Sequence, residues 1–135
     1  MKEIPVISKY MTTTPVTIES TASLAEAEAM MHKNNIRHLP VMERSKVYGI
    51  LSDRDLHRFL GLKGVDIKLE AVKNVCVTKI LVANAEAKLN TICNQMAENK
   101  YGSVIVEDNN KIVGIFTWVD ALRALGELLE TRLKK

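Results

Sequence analysis

Aromatic side chains are scarce in this sequence: one Trp, three Tyr and two Phe make up 4% of its 135 residues. Aliphatic side chains must therefore fill any core. Only two cysteines occur, Cys76 and Cys93, and their spacing is that of neither a metal site nor a disulfide framework. They read as small hydrophobes in a reducing compartment. No apolar run approaches the ~20 residues of a membrane span, and Met1-Lys2-Glu3 does not open a secretion signal. The expectation is a cytoplasmic chain with no membrane contact. His32, His38 and His57 lack ligand-like spacing, so no metal site is expected. A Gly-rich phosphate loop, paired catalytic carboxylates and a base beside Ser52 or Thr117 are all missing, which argues against an enzyme. The net charge of +3 is mild; it suits an anionic small molecule, and no recognition-helix pattern or aromatic-basic stripe points to nucleic acid.

What the chain does have is itself, twice. Shifted by about 65 positions, the sequence aligns with its own second half without a gap. The stretch IRHLPVMERSKVYGILSDRDLHRFL (36–60) falls on YGSVIVEDNNKIVGIFTWVDALRAL (101–125). Gly49 meets Gly114, Ser52 meets Thr117, Asp55 meets Asp120 and Arg58 meets Arg123. Upstream, Leu24, Ala27 and Met31 fall on Leu89, Ile92 and Met96, the spacing of one buried helix face.

Each half reads as β-α-β-β-α. A short extended piece (16–18; 80–82) leads into a helix from about Ser23 to Asn34, with Ser23 and Glu26 placed as a capping box, or from about Glu86 to Asn99. Two strands follow (39–42 and 46–51; 104–107 and 111–116), joined by the polar turns Glu43-Arg44-Ser45 and Asp108-Asn109-Asn110, which predicts an antiparallel hairpin. A closing helix begins at Ser52 or Thr117, and Gly61 and Gly64 stand where the first one would stop. The fold class is therefore α/β (α+β): two tandem units, 8–63 and 75–128, joined by a 64–74 linker and followed by a 129–135 tail. The basic tail Arg132-Leu133-Lys134-Lys135 complements the negative end of the last helix. Units of about 60 residues are marginal alone, so a shared core and a pseudo-twofold axis with two similar clefts between the halves are expected.

The chemistry concentrates at Gly49-Ile50-Leu51-Ser52-Asp53-Arg54-Asp55 and its echo Gly114-Ile115-Phe116-Thr117-Trp118-Val119-Asp120. In both, a strand ends on a hydroxyl and an Asp follows three residues later. One reading is a helix cap alone: Ser or Thr accepts from a backbone N–H and the carboxylate favours the positive helix end. The other adds a ligand, since a carboxylate accepts two hydrogen bonds at once, as a ribose diol supplies them. Phosphate would then turn toward cations, for which Arg37-His38, Lys79 and Arg54 are the candidates. Val16, Ile18, Leu39 and Ile115 are either walls of an adenine slot or simply core. Trp118 either stacks on a base or lies in a subunit contact.

The β-α-β-β-α repeat, the Leu39-Pro40-Val41 strand and the doubled hydroxyl-x-x-Asp ending resemble a tandem pair of cystathionine-beta-synthase (CBS) domains, a Bateman module. The resemblance covers about 10–60 and 75–125. It implies a non-catalytic regulatory module that binds AMP, ADP, ATP, S-adenosylmethionine or a related adenosine compound, pairs into a homodimer and meets an effector protein. Carried over residue by residue, one cleft joins Thr14, Pro15, Val16, Arg37 and His38 to Ile115, Thr117 and Asp120, and is expected to be the better site. The other joins Ile50, Ser52, Arg54 and Asp55 to Lys79, Ile80, Leu81 and Ser103. Ile105 stands where the second copy of the Leu-Pro-Val strand would have its proline. The alternative is a pair that has lost its ligand and serves as a dimerising interaction module.

Overall fold

Each buried helix face carries the chain from one strand to a parallel neighbour, a crossover that local sequence alone can specify. The computed structural model describes residues 3–13 and 16–133. Its strands are β1 (Thr12–Thr13), β2 (Ile18–Glu19), β3 (His38–Glu43), β4 (Lys46–Ser52), β5 (Leu81–Asn84), β6 (Ser103–Asp108) and β7 (Lys111–Thr117). The helices are α1 (Leu24–Asn34), α2 (Asp53–Leu60), α3 (Leu89–Asn99) and α4 (Trp118–Arg132), with short 3-10 turns at Ile7–Lys9 and Val72–Asn74. Among the described residues, no helix is long and apolar enough to cross a membrane.

Two compact units result: Val16–Lys79, and Met1–Pro15 together with Ile80–Lys135. In the first, β2 pairs parallel with β3 and β3 antiparallel with β4. In the second, β5 pairs parallel with β6, β6 antiparallel with β7, and β7 antiparallel with β1. Both hairpins slip register at the same repeat position, between Val41 and Met42 and between Val106 and Glu107.

The expected helix faces are the buried ones: Leu24, Ala27 and Met31 in one core, Leu89, Ile92 and Met96 in the other. Ser23 caps α1 by accepting from the Glu26 N–H at 3.1 Å. The second helix differs from expectation. It begins at Leu89 rather than near Glu86, because the Asn84 side chain and carbonyl take the N–H groups of Glu86 (2.8 Å) and Ala87 (2.9 Å) into a turn. Pro5 O then receives the Leu89 N–H at 2.9 Å. As expected, α2 stops at Gly61, whereas α4 runs on through the equivalent Gly126 to Arg132.

The segments ahead of the repeats do more than connect. Ile7 is wholly buried in the core that holds Phe116, and Val72, its repeat equivalent, is wholly buried in the core that holds Leu51. Residues 64–74, read as a linker, lie against the start of α1: Glu70 O accepts from Leu24 N, and Val72 N donates to Ala22 O.

Both hairpin turns place two residues at positive φ, Arg44 (52°) with Ser45 (65°) and Asn109 (51°) with Asn110 (64°). Asn tolerates this conformation; Arg and Ser carry a steric penalty there. Ser45→Gly is therefore expected to raise stability by about 1 kcal/mol, a melting shift of roughly 4 °C. An unchanged melting temperature would show that the turn carries no such strain.

Candidate functional site

Both strand-to-helix turns form as the sequence predicts, yet they are not alike. In the Val16–Lys79 unit, β4 ends at Ser52 with His38 directly opposite in register. Ser52 Oγ accepts the Asp55 N–H at 3.0 Å, and Arg37 O accepts the Asp53 N–H at 2.8 Å. Arg37, His38, Ser52 and Asp55 thus gather at one end of the β3–β4 hairpin. The Asp55 side chain is 23% exposed, and its ion partner, Arg58 Nη1, stands 4.0 Å away.

In the other unit, β7 ends at Thr117 opposite Ser103, and Trp118 N donates to Gly102 O at 3.2 Å. Here Asp120 is 3% exposed and fully engaged. Its Oδ2 accepts from Thr117 N (2.9 Å) and Thr117 Oγ1 (3.2 Å), closing a capping box, and its Oδ1 accepts from Thr12 Oγ1 (3.1 Å) and Arg123 Nη1 (3.4 Å). For Asp120 the helix cap accounts for the Oδ2 contacts, and Thr12 and Arg123 take Oδ1.

The difference has a traceable cause. Thr12 lies on Asp120 because Met11-Thr12 crosses β7 at Gly114, where an added Cβ would stand 2.7 Å from both Thr12 O and Met11 Sδ. The same crossing occurs at Gly49, where Cys76-Val77 passes 2.5 Å from the position of a Cβ. Ile50 and Val77 exchange both backbone hydrogen bonds at 2.9 Å. Val77 stands at the repeat equivalent of Thr12, but it has no hydroxyl. Asp55 thereby lacks the donor that occupies Asp120. Sequence reasoning missed β1 and this pair of crossings; the signal was the same 65-residue offset, carried upstream to Ile7 and Val72.

Thr14 and Pro15 lie outside the described residues. Val16 and His38 are half-buried and Arg37 is exposed, all three in the Val16–Lys79 unit, whereas Ile115, Thr117 and Asp120 are buried in the other. Ile50 is buried, Ser52 half-buried, and Arg54 and Lys79 exposed. Ile80, Leu81 and Ser103 are half-buried in the second unit. Leu39 is wholly buried and Ile18 nearly so, both packed in the core with α1. They are core, not walls of a slot, because strand alternation turns them to the helix-covered face. Trp118 is 58% exposed on α4.

The two thiols are unpaired and half-buried. Burial pushes the Cys76 thiol above its ordinary pKa, and the Asp55 charge adds to the rise against a lowering backbone hydrogen bond. Burial alone pushes Cys93 up. Both therefore stay protonated at neutral pH and behave as apolar groups.

The sequence pattern of a family described as the CBS domain matches residues 7–62 and 72–127. The chain is 29% identical over 122 residues to the CBS domain-containing protein YhcV of Bacillus subtilis, spanning 90% of this chain and 81% of that protein. It is 26% identical over 125 residues to the L-aspartate semialdehyde sulfurtransferase of Methanocaldococcus jannaschii, spanning 91% of this chain but only 24% of that protein. The crystal structure of the CBS domain pair of protein MJ0100 in complex with 5-methylthioadenosine and S-adenosyl-L-methionine superposes with a TM-score of 0.76 at 24% identity, covering 93% of this chain and 98% of that one. That likeness concerns the fold.

Proposed function

The chain belongs to the CBS domain family as a tandem pair, a non-catalytic regulatory module, and from that premise we propose that it binds an adenosine-containing ligand in the cytoplasm and signals it to an effector protein as a homodimer. The observation that carries the ligand is the Asp55 carboxylate. It sits one turn into α2, 23% exposed, with no hydroxyl from the crossing segment to occupy it, its N–H held by Ser52 Oγ, Arg58 Nη1 4.0 Å away and the exposed Arg54 next to it in sequence. A ribose diol donates to such a carboxylate, and AMP, ADP, ATP or S-adenosylmethionine each bring one with a charged group to place nearby. Support of a coarser kind comes from the solved relative that holds two adenosine compounds. The Asp55 copy is favoured over the Asp120 copy, reversing the ranking that Arg37 gave from sequence, because a sugar at Asp120 must first displace Thr12.

Melting the protein with each adenosine compound tests this. A ligand at 100 times its dissociation constant should add about 2.7 kcal/mol of stability, and Asp55→Ala should weaken binding at least tenfold while the protein stays folded. If no compound shifts the transition at millimolar concentration, the ligand-free interaction reading takes over. That reading already has one observation in its favour, the saturated Asp120. Equal binding by Asp55→Ala and wild type would remove Asp55 from the site.

A further inference from the structure

One hydroxyl separates the two acidic turns, and it stands where a sugar's would. Asp120 Oδ1 accepts from Thr12 Oγ1 at 3.1 Å and Arg123 Nη1 at 3.4 Å. Its Oδ2 accepts from Thr117 N at 2.9 Å and Thr117 Oγ1 at 3.2 Å. A carboxylate has about four lone-pair sites, so Asp120 is full. Among the described residues, the Asp55 carboxylate has one partner, Arg58 Nη1 at 4.0 Å. Ser52 Oγ accepts from the Asp55 backbone and fills none of those sites.

The donors on Asp120 are not held alike. Arg123 is 69% exposed and Arg58, its equivalent, 67%, so either guanidinium can turn out to water. Thr117 belongs to the capping box that starts α4 and leaves Oδ1 untouched. Thr12 is brought to Oδ1 by β1, through the antiparallel pairing of Thr12 with Ile115 and Thr13 with Gly114. A free sugar must compete there with a donor that the chain already holds in place.

The first copy is a control built into the same chain. Val77 pairs antiparallel with Ile50, as Thr12 pairs with Ile115, and each residue lies 65 positions from its equivalent. The crossing segment therefore passes both turns in one register. Thr and Val share a shape and differ in the hydroxyl. Where Thr12 presents a donor to the acidic turn, Val77 presents a methyl group.

We infer that the residue at this crossing selects which acidic turn accepts a sugar diol: Val77 leaves Asp55 open, and Thr12 keeps Asp120 occupied. The chain then takes one ligand tightly, at Asp55, and a second at least tenfold more weakly. The inference rests on the adenosine reading above and adds to it the stoichiometry and the positioning residue that sets it.

Calorimetric titration of the full chain with AMP, ATP and S-adenosylmethionine in turn tests this. Wild type should show one tight site per chain. Thr12→Val should show two, the new one within tenfold of the first, and Thr12→Ser, which restores the hydroxyl, should return to one. Val77→Thr, a substitution at an exposed position, should weaken the tight site at least tenfold. Joining Thr12→Val to Val77→Thr should move the site: its binding should then survive Asp55→Ala and be lost with Asp120→Ala, in protein that melting shows to be folded. Two equal sites in wild type, one site in Thr12→Val, or undiminished binding by Val77→Thr would each overturn the selection and leave the adenosine reading standing. No binding of any of the three compounds, by wild type and Thr12→Val alike, would overturn both.

Discussion

Gly49→Val should cost about 3–5 kcal/mol, the sum of two lost backbone hydrogen bonds at about 1 kcal/mol each and about 1–3 kcal/mol of overpacking. A Cβ at residue 49 would stand 2.5 Å from Val77 O, a backbone atom that cannot rotate away. The segment can retreat only by breaking the reciprocal 2.9 Å bonds between Ile50 and Val77. Gly114→Val should act alike in the other unit through Thr12 O, and somewhat less severely, since Met11 Sδ is the end of a flexible side chain. Gly102→Ala, with nothing within 4 Å, should change stability by less than about 0.5 kcal/mol. Urea unfolding of the three variants checks the order. A tolerated Gly49→Val would mean that Cys76-Val77 does not lie across β4.

Asp120→Ala should lower stability by about 1–3 kcal/mol, because the buried Thr117 N–H loses the carboxylate half of the capping box and is left without a partner. The donor left behind is Thr117 N, 2.9 Å from the missing oxygen, whereas the hydroxyl of the exposed Thr12 can turn to water. Asp55→Ala removes no side-chain cap, because at that turn Ser52 does the capping and Asp55 contributes its backbone N–H. What it gives up is a favourable charge in the first turn of α2, below about 1 kcal/mol. Two residues at the same repeat position are thus expected to separate, one into stability and the other into binding. Comparable destabilisation by both substitutions would contradict the division.

Much of the fold was legible residue by residue. The three-four spacing of Leu24, Ala27 and Met31 and of Leu89, Ile92 and Met96 marked the buried helix faces, since a helix period needs only its own sequence. Gly49 and Gly114 were visible as a pair, though not why glycine was needed, because the segment that crosses each of them is distant in sequence or has no period of its own. β1 is two residues long, too short for any alternation to show. The start of α3 was misplaced because Asn84 and Pro5, rather than residues of the helix, hold the chain around residues 86–89 in a turn and a bridge.

The candidate site shows the same boundary more sharply. Ser52-x-x-Asp55 and Thr117-x-x-Asp120 are equivalent on paper, and sequence favoured the second through Arg37. Their difference lies in Thr12 and Val77, and the Thr12 contact joins residues 108 positions apart.

By itself the sequence determined the repeat, the order of strands and helices, the faces that are buried and the two acidic turns, because hydrophobic period and capping act over a few neighbouring residues. The tertiary structure decided which segment crosses which glycine and which carboxylate is occupied. Each of these depends on hydrogen bonds and packing between parts of the chain that no local pattern connects.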